Sequence, residues 1–238
     1  MQLRAAKAVV FLAVLMTITF GLACADDKKP CEKEEGFVSL FNGKNLEGWV
    51  GDTKGYVVEN GCIVCKPGGN LYTEKEYSDF VFRFEFKLTP GANNGVAIRT
   101  PLNSHAAYDG MEIQILDDVH PKYKDIQPWQ AHGSIYGVVP AKRGHLKPAG
   151  QWNSEEIIAD GKHIKVILNG AVIVDADLEE ASRNGTIDGK PHLGLKNKKG
   201  HIGFLGHGDV LEFRNLRIKE LVKPDEKSEH KSDTGEER

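Results

Sequence analysis

Apolar and polar residues alternate through much of the chain, a pattern that is typical of β-strands with one buried face. The clearest case is DFVFRFEFKL, residues 79–88, in which four phenylalanines and a leucine point to one side. In HIKVILNGAVIVDADL, residues 163–178, two such strands flank Asn169-Gly170, the strongest short-range signal for a hairpin turn. Helical periodicity is scarce, and LEEASRNG, residues 178–185, predicts only one short turn.

Many short strands separated by turn residues predict an all-β fold, either a β-sandwich or a jelly roll. The patterned region runs over residues 37–222. It contains no internal repeat and no Pro- or Gly-rich linker that would divide it. The chain of 238 residues, 40% of them apolar, is long enough for one sizeable core. We therefore expect a single folded domain.

The strand GMEIQILDD, residues 110–118, has polar chemistry on its second face. Met111, Ile113 and Ile115 are expected to lie in the core, because they alternate along the strand. Glu112 and Gln114 then face outward, where a ligand could sit. In the stretch GVAIRT, Arg99 is expected on the outward face beside the small residues Gly95 and Ala97, which leave room for a ligand. The alternative is that Glu112 and Arg99 form only an exposed cross-strand ion pair, which contributes about 0–1 kcal/mol.

The chain ends carry a different pattern. Residues 1–25 have a basic start, an apolar run and the sequence ACA before DDKK, which predicts a cleaved signal peptide. An uncleaved anchor and a lipid-anchored protein through Cys24 are the alternatives. Residues 26–36 are predicted to be a flexible charged segment, and residues 223–238 a disordered charged tail. The mature protein is expected to be exported, periplasmic or extracellular, with no membrane span.

The charge balance gives no sign of nucleic-acid binding. The formal net charge is −3, and the Lys and Arg residues are scattered rather than clustered. Motifs of nucleotide-binding proteins, zinc peptidases and serine hydrolases are absent from the sequence. The pair Cys62 and Cys65 lies in strand-like sequence, where the two side chains point to opposite faces. Either of them could pair with Cys31, since export permits disulfides.

Several other polar residues are candidates whose role stays open at this point. His132 and His207 lie among glycine-rich turn residues, and Tyr136 follows His132 closely. Each histidine could be an acid, a base or a metal ligand, or have a plain surface or hydrogen-bonding role. Asp117 and Asp118 end a strand and are weak candidates for a divalent metal, or they cap a loop. The tryptophans 129 and 152 could stack on a sugar ring or belong to the core.

Seven stretches of this sequence, in this order, resemble the bacterial 3-keto-disaccharide hydrolase domain. They cover nearly all of residues 37–221, and although each is weak alone, their order is specific. They read FVSLFNGKNLEGWV, GGNLYTEKEYSDFVFRFEFKL, GANNGVAIRT, GMEIQILDD, GSIYGVVPA, GQWNSEEIIADGKHIKVILNG and HIGFLGHGDVLEFRNLRIKEL. The resemblance implies a concanavalin-like jelly-roll fold and a substrate whose sugar is oxidised to a ketone at carbon 3.

A ketone at carbon 3 makes the proton on carbon 2 acidic, so the resemblance implies cleavage by elimination and hydration rather than direct displacement. Such a site needs a base, an enolate stabiliser and an acid. Within that scheme Glu112 is the first candidate for the base, or for a metal ligand if a divalent cation is used. His207 and Tyr136 are candidates for the acid. The expected substrate-binding residues are Arg99, Gln114, Asn93, Trp152 and Lys147.

Two other classes of function remain open at the level of sequence. The same polar face could hold a glycan without reaction, as in a lectin-like carbohydrate-binding module, since fold alone does not decide function. The chain could also be a structural or envelope-associated protein with a degenerate site. The sequence does not specify the leaving group, the anomer, the metal dependence or the oligomeric state.

Overall fold

The protein is seen in a computed structural model that describes residues 35–222. Within those residues thirteen strands form two antiparallel sheets, connected by two short α-helices and three 3₁₀ turns. The expectation of an all-β sandwich is confirmed. The expected signal peptide, the segment that follows it and the charged tail lie outside the described residues, apart from residues 35 and 36. Among the described residues, none of the helices is long and apolar enough to cross a membrane.

The larger sheet has the strand order β11-β10-β9-β6-β13-β4-β3, and β1 also pairs with β13. Its strands are β1 (Val38–Ser39), β3 (Tyr56–Glu59), β4 (Cys62–Cys65), β6 (Phe80–Leu88), β9 (Trp152–Asp160), β10 (His163–Leu168), β11 (Ala171–Asp177) and β13 (Leu211–Glu220). The predicted hairpin is β10 and β11. Asn169 and Gly170 both have positive φ there, which the tight turn between two twisted strands requires.

The smaller sheet has the order β2-β5-β12-β7-β8. Its strands are β2 (Trp49–Gly51), β5 (Asn70–Tyr77), β7 (Asn93–Thr100), β8 (Met111–Leu116) and β12 (Gly200–Leu205). The helices are α1 (Ala106–Asp109) and α2 (Leu178–Ser182), and the 3₁₀ turns are Pro121–Tyr123, Pro128–Gln130 and Leu193–Lys196. Because β8 forms an edge of this sheet, its free backbone groups can pair with a loop rather than with another strand of the sheet.

The core lies between the inward faces of the two sheets. The alternating phenylalanines of β6 are all buried, and the ring of Phe84 packs within 6.4 Å of those of Phe204 and Phe213 from the opposite sheet and the neighbouring strand. The predicted core residues of β8, Met111, Ile113 and Ile115, belong to the same cluster. Burial of apolar surface on this scale is the main term that stabilises such a sandwich.

The two cysteines of β4 point to opposite faces, as the strand period requires. Cys65 lies in the core with no exposed surface, whereas Cys62 is buried outside the core cluster. Both are free thiols, and burial raises the pKa of each. Cys31, the partner considered from sequence, lies outside the described residues.

Candidate active site

The polar face of β8 lies on the side of the five-stranded sheet that is turned away from the core. Glu112 and Gln114 alternate there with the three core residues of the strand, as predicted, but both are nearly buried rather than open to water. Their neighbours cover them. The segment 131–136 runs beside β8, so that Tyr136 N–H donates to the Glu112 carbonyl at 2.9 Å and Gly133 N–H to the Gln114 carbonyl at 2.7 Å.

The Glu112 side chain lies over Gly95 of the adjacent strand β7. A Cβ placed on Gly95 would lie 2.3 Å from Oε1 of Glu112 and 2.9 Å from its Cδ, closer than atoms in contact allow. Ala97 is the Cα partner of Glu112 in the same pair of strands. The sequence predicted that small residues here leave room for a ligand. The structure shows that the space at Gly95 is taken by the Glu112 carboxylate itself.

His207 approaches that carboxylate from another part of the chain. Its Nε2 lies 4.0 Å from Oε1 of Glu112, and its side chain is about half exposed, at 47%. Glu112 is the main cause that raises the pKa of His207 above its ordinary value of 6.5, and Asp209 acts in the same direction. A raised pKa means that a larger fraction of His207 carries a proton near neutral pH. The pair combines a carboxylate with a proton donor.

Tyr136 lies on the same face. Its ring meets Trp129 edge-on, with ring centroids 4.9 Å apart, so Trp129 lies at the site rather than in the core cluster. Burial raises the pKa of the Tyr136 hydroxyl, and the charge of Glu112 adds to the shift. The hydroxyl therefore stays protonated through the neutral range and can donate a hydrogen bond. The structure brings together Glu112, His207 and Tyr136, the three residues predicted for the chemistry.

Two of the predicted substrate-binding residues also belong to this face. Nε2 of Gln114 donates to Oδ1 of Asn93 at 2.7 Å. The Asn93 backbone N–H donates in turn to Asp209 at 2.9 Å, which fixes the turn that carries His207 against β7. Gln114 and Asn93 are thus oriented by contacts that do not involve Glu112. We use the name candidate site for Glu112, Gln114, Asn93, Tyr136 and His207.

The sequence did not single out Tyr72, Tyr108 and Lys190, which lie around the candidate site. Tyr72 belongs to an apolar patch on the same face of the sheet, and Glu112 contributes to the rise in its pKa after burial. Lys190 Nζ donates to the Tyr108 hydroxyl at 3.0 Å, and both influence the pKa of Tyr136. The alternation in β5 could have indicated Tyr72. Tyr108 and Lys190 come from a short helix and a loop, where no periodic signal exists.

Arg99 lies elsewhere, so the expectation that it stands beside Glu112 is wrong. Residues 98 and 99 form a bulge in the pairing of β7 with β12, and Arg99 has a φ of +48°. The bulge turns the guanidinium into the fold, where it is buried and donates to Asp79 at 2.7 Å, to the Ser78 carbonyl and to the Gly161 carbonyl. Through these contacts Arg99 links two loops to each other.

Trp152 and Lys147 also lie away from the candidate site. Trp152 is on the outer face of the eight-stranded sheet, where Arg214 covers its ring at 3.9 Å and Lys87 at 4.9 Å. Lys147 Nζ donates to the Trp152 carbonyl at 3.0 Å. The expectation that these two residues bind the same substrate as Glu112 is therefore wrong, because β9 belongs to the opposite sheet.

The weak metal candidates have other partners. Asp117 accepts from the Gly91 backbone N–H at 2.7 Å, and Asp118 accepts from Arg143 Nε at 3.1 Å and from the His132 N–H at 3.2 Å. They cap loops, the alternative left open from sequence. Among residues 35–222, three or more His, Cys, Asp or Glu side chains do not gather anywhere in an arrangement that could hold a metal ion.

A cavity of about 740 Å³ lies away from Glu112. It lies near Arg99 and has a wall of leucines and a rim of lysines, among them Leu178, Leu195, Lys196 and Lys198. Its lining has no aromatic ring other than that of His192, and the cavity shares no residue with the candidate site.

Comparison with known proteins agrees with the fold and identifies the family. The family described as "3-keto-alpha-glucoside-1,2-lyase-like domain" matches residues 36–219. A 3-keto-disaccharide hydrolase of Bacteroides thetaiotaomicron is 27% identical over 230 residues, covering 79% of this chain and 79% of that protein. A crystal structure from Parabacteroides distasonis, named "putative glycosyl hydrolase", has 31% identity and a TM-score of 0.70, covering 78% of this chain and 99% of that one.

A more distant neighbour shows the fold alone. The carbohydrate-binding module CBM66 from Bacillus subtilis has a TM-score of 0.50 at 12% identity, covering 72% of this chain and 95% of that one. The expected concanavalin-like sandwich is thereby confirmed. The match over residues 36–219 is far more specific, and it spans both sheets and the whole candidate site. This chain belongs to the family of 3-keto-alpha-glucoside-1,2-lyase-like domains and is a distant homologue of a 3-keto-disaccharide hydrolase.

Proposed function

We propose that this protein cleaves 3-keto-glycosides by removing the proton on carbon 2, eliminating the leaving group from carbon 1 and adding water. The observation that carries the proposal is the pair of Glu112 and His207, 4.0 Å apart on a sheet face that belongs to this family's domain. The family description names a lyase acting across positions 1 and 2, which is the pattern of bonds that this elimination would break.

The reaction balances in three steps. A base takes the proton from carbon 2, and the electron pair passes into the ketone at carbon 3 to give an enolate. The enolate re-forms the ketone while the bond from carbon 1 to the leaving oxygen breaks, and an acid protonates that oxygen. Water then adds to the carbon 1–carbon 2 double bond, its hydroxyl to carbon 1 and a proton to carbon 2. The net result is hydrolysis.

The groups of the candidate site suit these steps. Glu112 is the base, since a carboxylate can accept a proton from carbon 2 and the absence of a side chain at Gly95 lets it lie on this face of the sheet. His207 is the acid, because Glu112 raises its pKa and so increases the fraction of His207 that carries a proton near neutral pH. Tyr136 donates to the ketone oxygen, whose charge grows in the enolate, and burial keeps this hydroxyl protonated. Gln114 and Asn93 bind sugar hydroxyls.

Direct displacement by two carboxylates is the rival chemistry for a glycoside-cleaving site. A retaining enzyme needs the two carboxyl groups about 5–5.5 Å apart and free to act on carbon 1. The other carboxylate near His207 is Asp209, and its Oδ2 accepts from the Asn93 N–H at 2.9 Å and lies 3.9 Å from Lys122 Nζ. Those contacts favour a supporting role for Asp209, which supports elimination with Glu112 as the single working carboxylate.

We also propose that the protein acts after export, on glycosides outside the cytoplasm, because residues 1–25 have the composition of a signal peptide. Cell fractionation of the native host and N-terminal sequencing of the mature protein test this. Export predicts a mature N-terminus after Ala25 in the exported fraction. A full-length chain confined to the cytoplasm would contradict it.

The enzymatic proposal is tested by incubating the purified protein with a 3-keto-disaccharide and with its unoxidised parent, with and without an added divalent cation. We expect sugar release from the keto substrate only. Release from the parent sugar as well would favour displacement by two carboxylates. Saturable binding of a glycan without release from either substrate would favour the lectin-like alternative and would overturn the proposed reaction.

A further inference from the structure

A buried pair of side chains, Glu155 and His132, connects the two sheets directly behind the strand that carries the candidate site. Glu155 belongs to β9 of the eight-stranded sheet and His132 to the segment 131–136 beside β8. Nε2 of His132 and Oε2 of Glu155 are 3.1 Å apart, and the two side chains are 2% and 0% exposed. Neither residue belongs to the candidate site, yet His132 contacts the backbone of the strand that carries it.

The hydrogen bonds determine which nitrogen of His132 carries the proton. Leu116 N–H, at the end of β8, donates to Nδ1 of His132 at 3.2 Å. Nδ1 is therefore an acceptor, and Nε2 must be the donor that reaches Glu155. The ring can make both contacts only in this neutral form. A single imidazole thus joins the backbone of β8 to a carboxyl group of the opposite sheet.

The segment 131–136 forms backbone hydrogen bonds with both polar residues of β8. Gln114 N–H donates to the Ser134 carbonyl at 3.0 Å, and Tyr136 N–H donates to the Glu112 carbonyl at 2.9 Å. Ile135 also forms a bridge with Ile113. The backbone of Glu112, Gln114 and Tyr136 is therefore one hydrogen-bonded unit. His132 fixes that unit from one end, and Glu155 fixes His132.

A buried glutamate at position 155 is unfavourable for the stability of the fold. Its Oε1 is buried without a hydrogen-bond partner among residues 35–222, and a buried polar atom without a partner costs free energy. The Phe86 ring packs 5.2 Å from the ring of His132, and Phe84 is the Cα partner of Glu155. An apolar side chain would suit those neighbours better. A buried glutamate at this place is consistent with selection for the positioning of its neighbours rather than for the stability of the fold.

We propose that Glu155 is a positioning residue for the reaction: through His132 it holds the backbone unit of Glu112, Gln114 and Tyr136 in register with His207. The inference rests on the proposed function only for its kinetic test. Loss of the Glu155 contact frees the His132 ring and loosens the Leu116 bond. A displacement of about 1 Å at reacting groups can lower the rate by about 100-fold.

The test compares Glu155→Gln, whose amide oxygen still accepts from His132 Nε2–H, with Glu155→Leu, which removes the acceptor. On a 3-keto-disaccharide we expect Glu155→Leu to lower kcat by about 10- to 100-fold with KM little changed, and Glu155→Gln to restore most of the rate. If Glu155→Leu does not fold, the double variant Glu155→Leu/His132→Leu takes its place. It has no imidazole ring, so no buried donor is left without a partner. Asp79→Asn, in the buried pair with Arg99, is the control for plain destabilisation.

Amide hydrogen exchange supplies a reading that does not depend on activity. In folded Glu155→Leu the amides of Gln114 and Tyr136 should exchange at least about tenfold faster, while those of β6 and β13 stay as in the wild type. If the wild-type protein cleaves no 3-keto-glycoside, the proposed function fails and the exchange result alone decides the positioning role. Wild-type kcat or wild-type exchange at both amides in Glu155→Leu would overturn the inference.

Discussion

Oε1 of Glu112 lies 4.0 Å from Nε2 of His207, although the two residues come from a strand and a glycine-flanked turn far apart in the chain. The distance is too long for a strong hydrogen bond, so neither group is fully engaged by the other. It is short enough for the carboxylate to raise the pKa of the imidazole. The fold thus places the carboxylate of Glu112 next to an imidazole whose pKa it raises, as the proposed pairing of a base with an acid requires.

Replacing Glu112 with Gln should abolish proton abstraction while keeping the shape of the side chain. Removal of a general base lowers rates by about 10²–10⁴-fold. We therefore expect a loss of that size in kcat on a 3-keto-disaccharide, with substrate binding by calorimetry nearly unchanged. Retention of more than about a tenth of the wild-type rate would exclude Glu112 as the base.

The pH dependence of the reaction should follow His207. Because Glu112 raises the pKa of His207, the acid stays protonated above pH 6.5, and kcat/KM falls as pH rises through the raised value. The same shift contributes stability that is present below pH 6.5 and is lost as pH rises through the raised pKa. That contribution is small, since His207 is about half exposed at 47%. In Glu112→Gln the pKa of His207, followed by NMR, should move down. No change in it would show that the two groups are uncoupled in solution.

Gly95→Ala should disturb the carboxylate without disturbing the sheet. The new methyl group would lie 2.3 Å from Oε1 of Glu112, so the carboxylate must move by about 1 Å, and a shift of that size can cost about 100-fold in rate. The midpoint of thermal unfolding should change little. Gly69→Ala is the matched control, because its Cβ would lie 3.4 Å from the nearest atom, Oδ2 of Asp52. Equal activity in the two variants would place the reaction away from Glu112.

Arg99→Ala should act on stability and not on substrate affinity. The variant leaves Asp79 without the buried guanidinium that it contacts at 2.7 Å. Breaking a buried ion pair costs about 3–5 kcal/mol, which urea unfolding would measure. The folded fraction should keep the wild-type KM. A large rise in KM with unchanged stability would instead return Arg99 to the substrate-binding role that alternation suggested.

The sequence predicted those parts of the fold that depend on a local period. The phenylalanines of β6, the core side of β8 and the turn at Asn169-Gly170 follow from alternation and turn chemistry, and the structure confirms them. Alternation also placed Glu112 and Gln114 on one face. Their burial was not predictable in the same way, because it depends on the segment 131–136, which packs beside β8 through tertiary contacts.

The residues that were misplaced show where local patterns fail. Arg99 lies in a bulge, and the inserted residue changes the face on which its side chain lies. For Trp152 the sequence left open whether it binds a sugar or lies in the core. Only the tertiary structure shows that β9 belongs to the other sheet and that Arg214 covers the ring. The contact of Glu155 with His132 crosses between sheets, and no sequence period reports such a contact.

In the proposed reaction, cleavage begins with loss of the carbon 2 proton to Glu112. A 3-keto-disaccharide deuterated at carbon 2, incubated in ordinary water, tests it most directly by mass spectrometry and NMR of the released sugar. We predict a primary isotope effect on kcat or on exchange, and a released sugar in which solvent hydrogen replaces the deuterium, both absent in Glu112→Gln. Release of a sugar that keeps its deuterium at carbon 2 would contradict elimination and the role of Glu112 as its base.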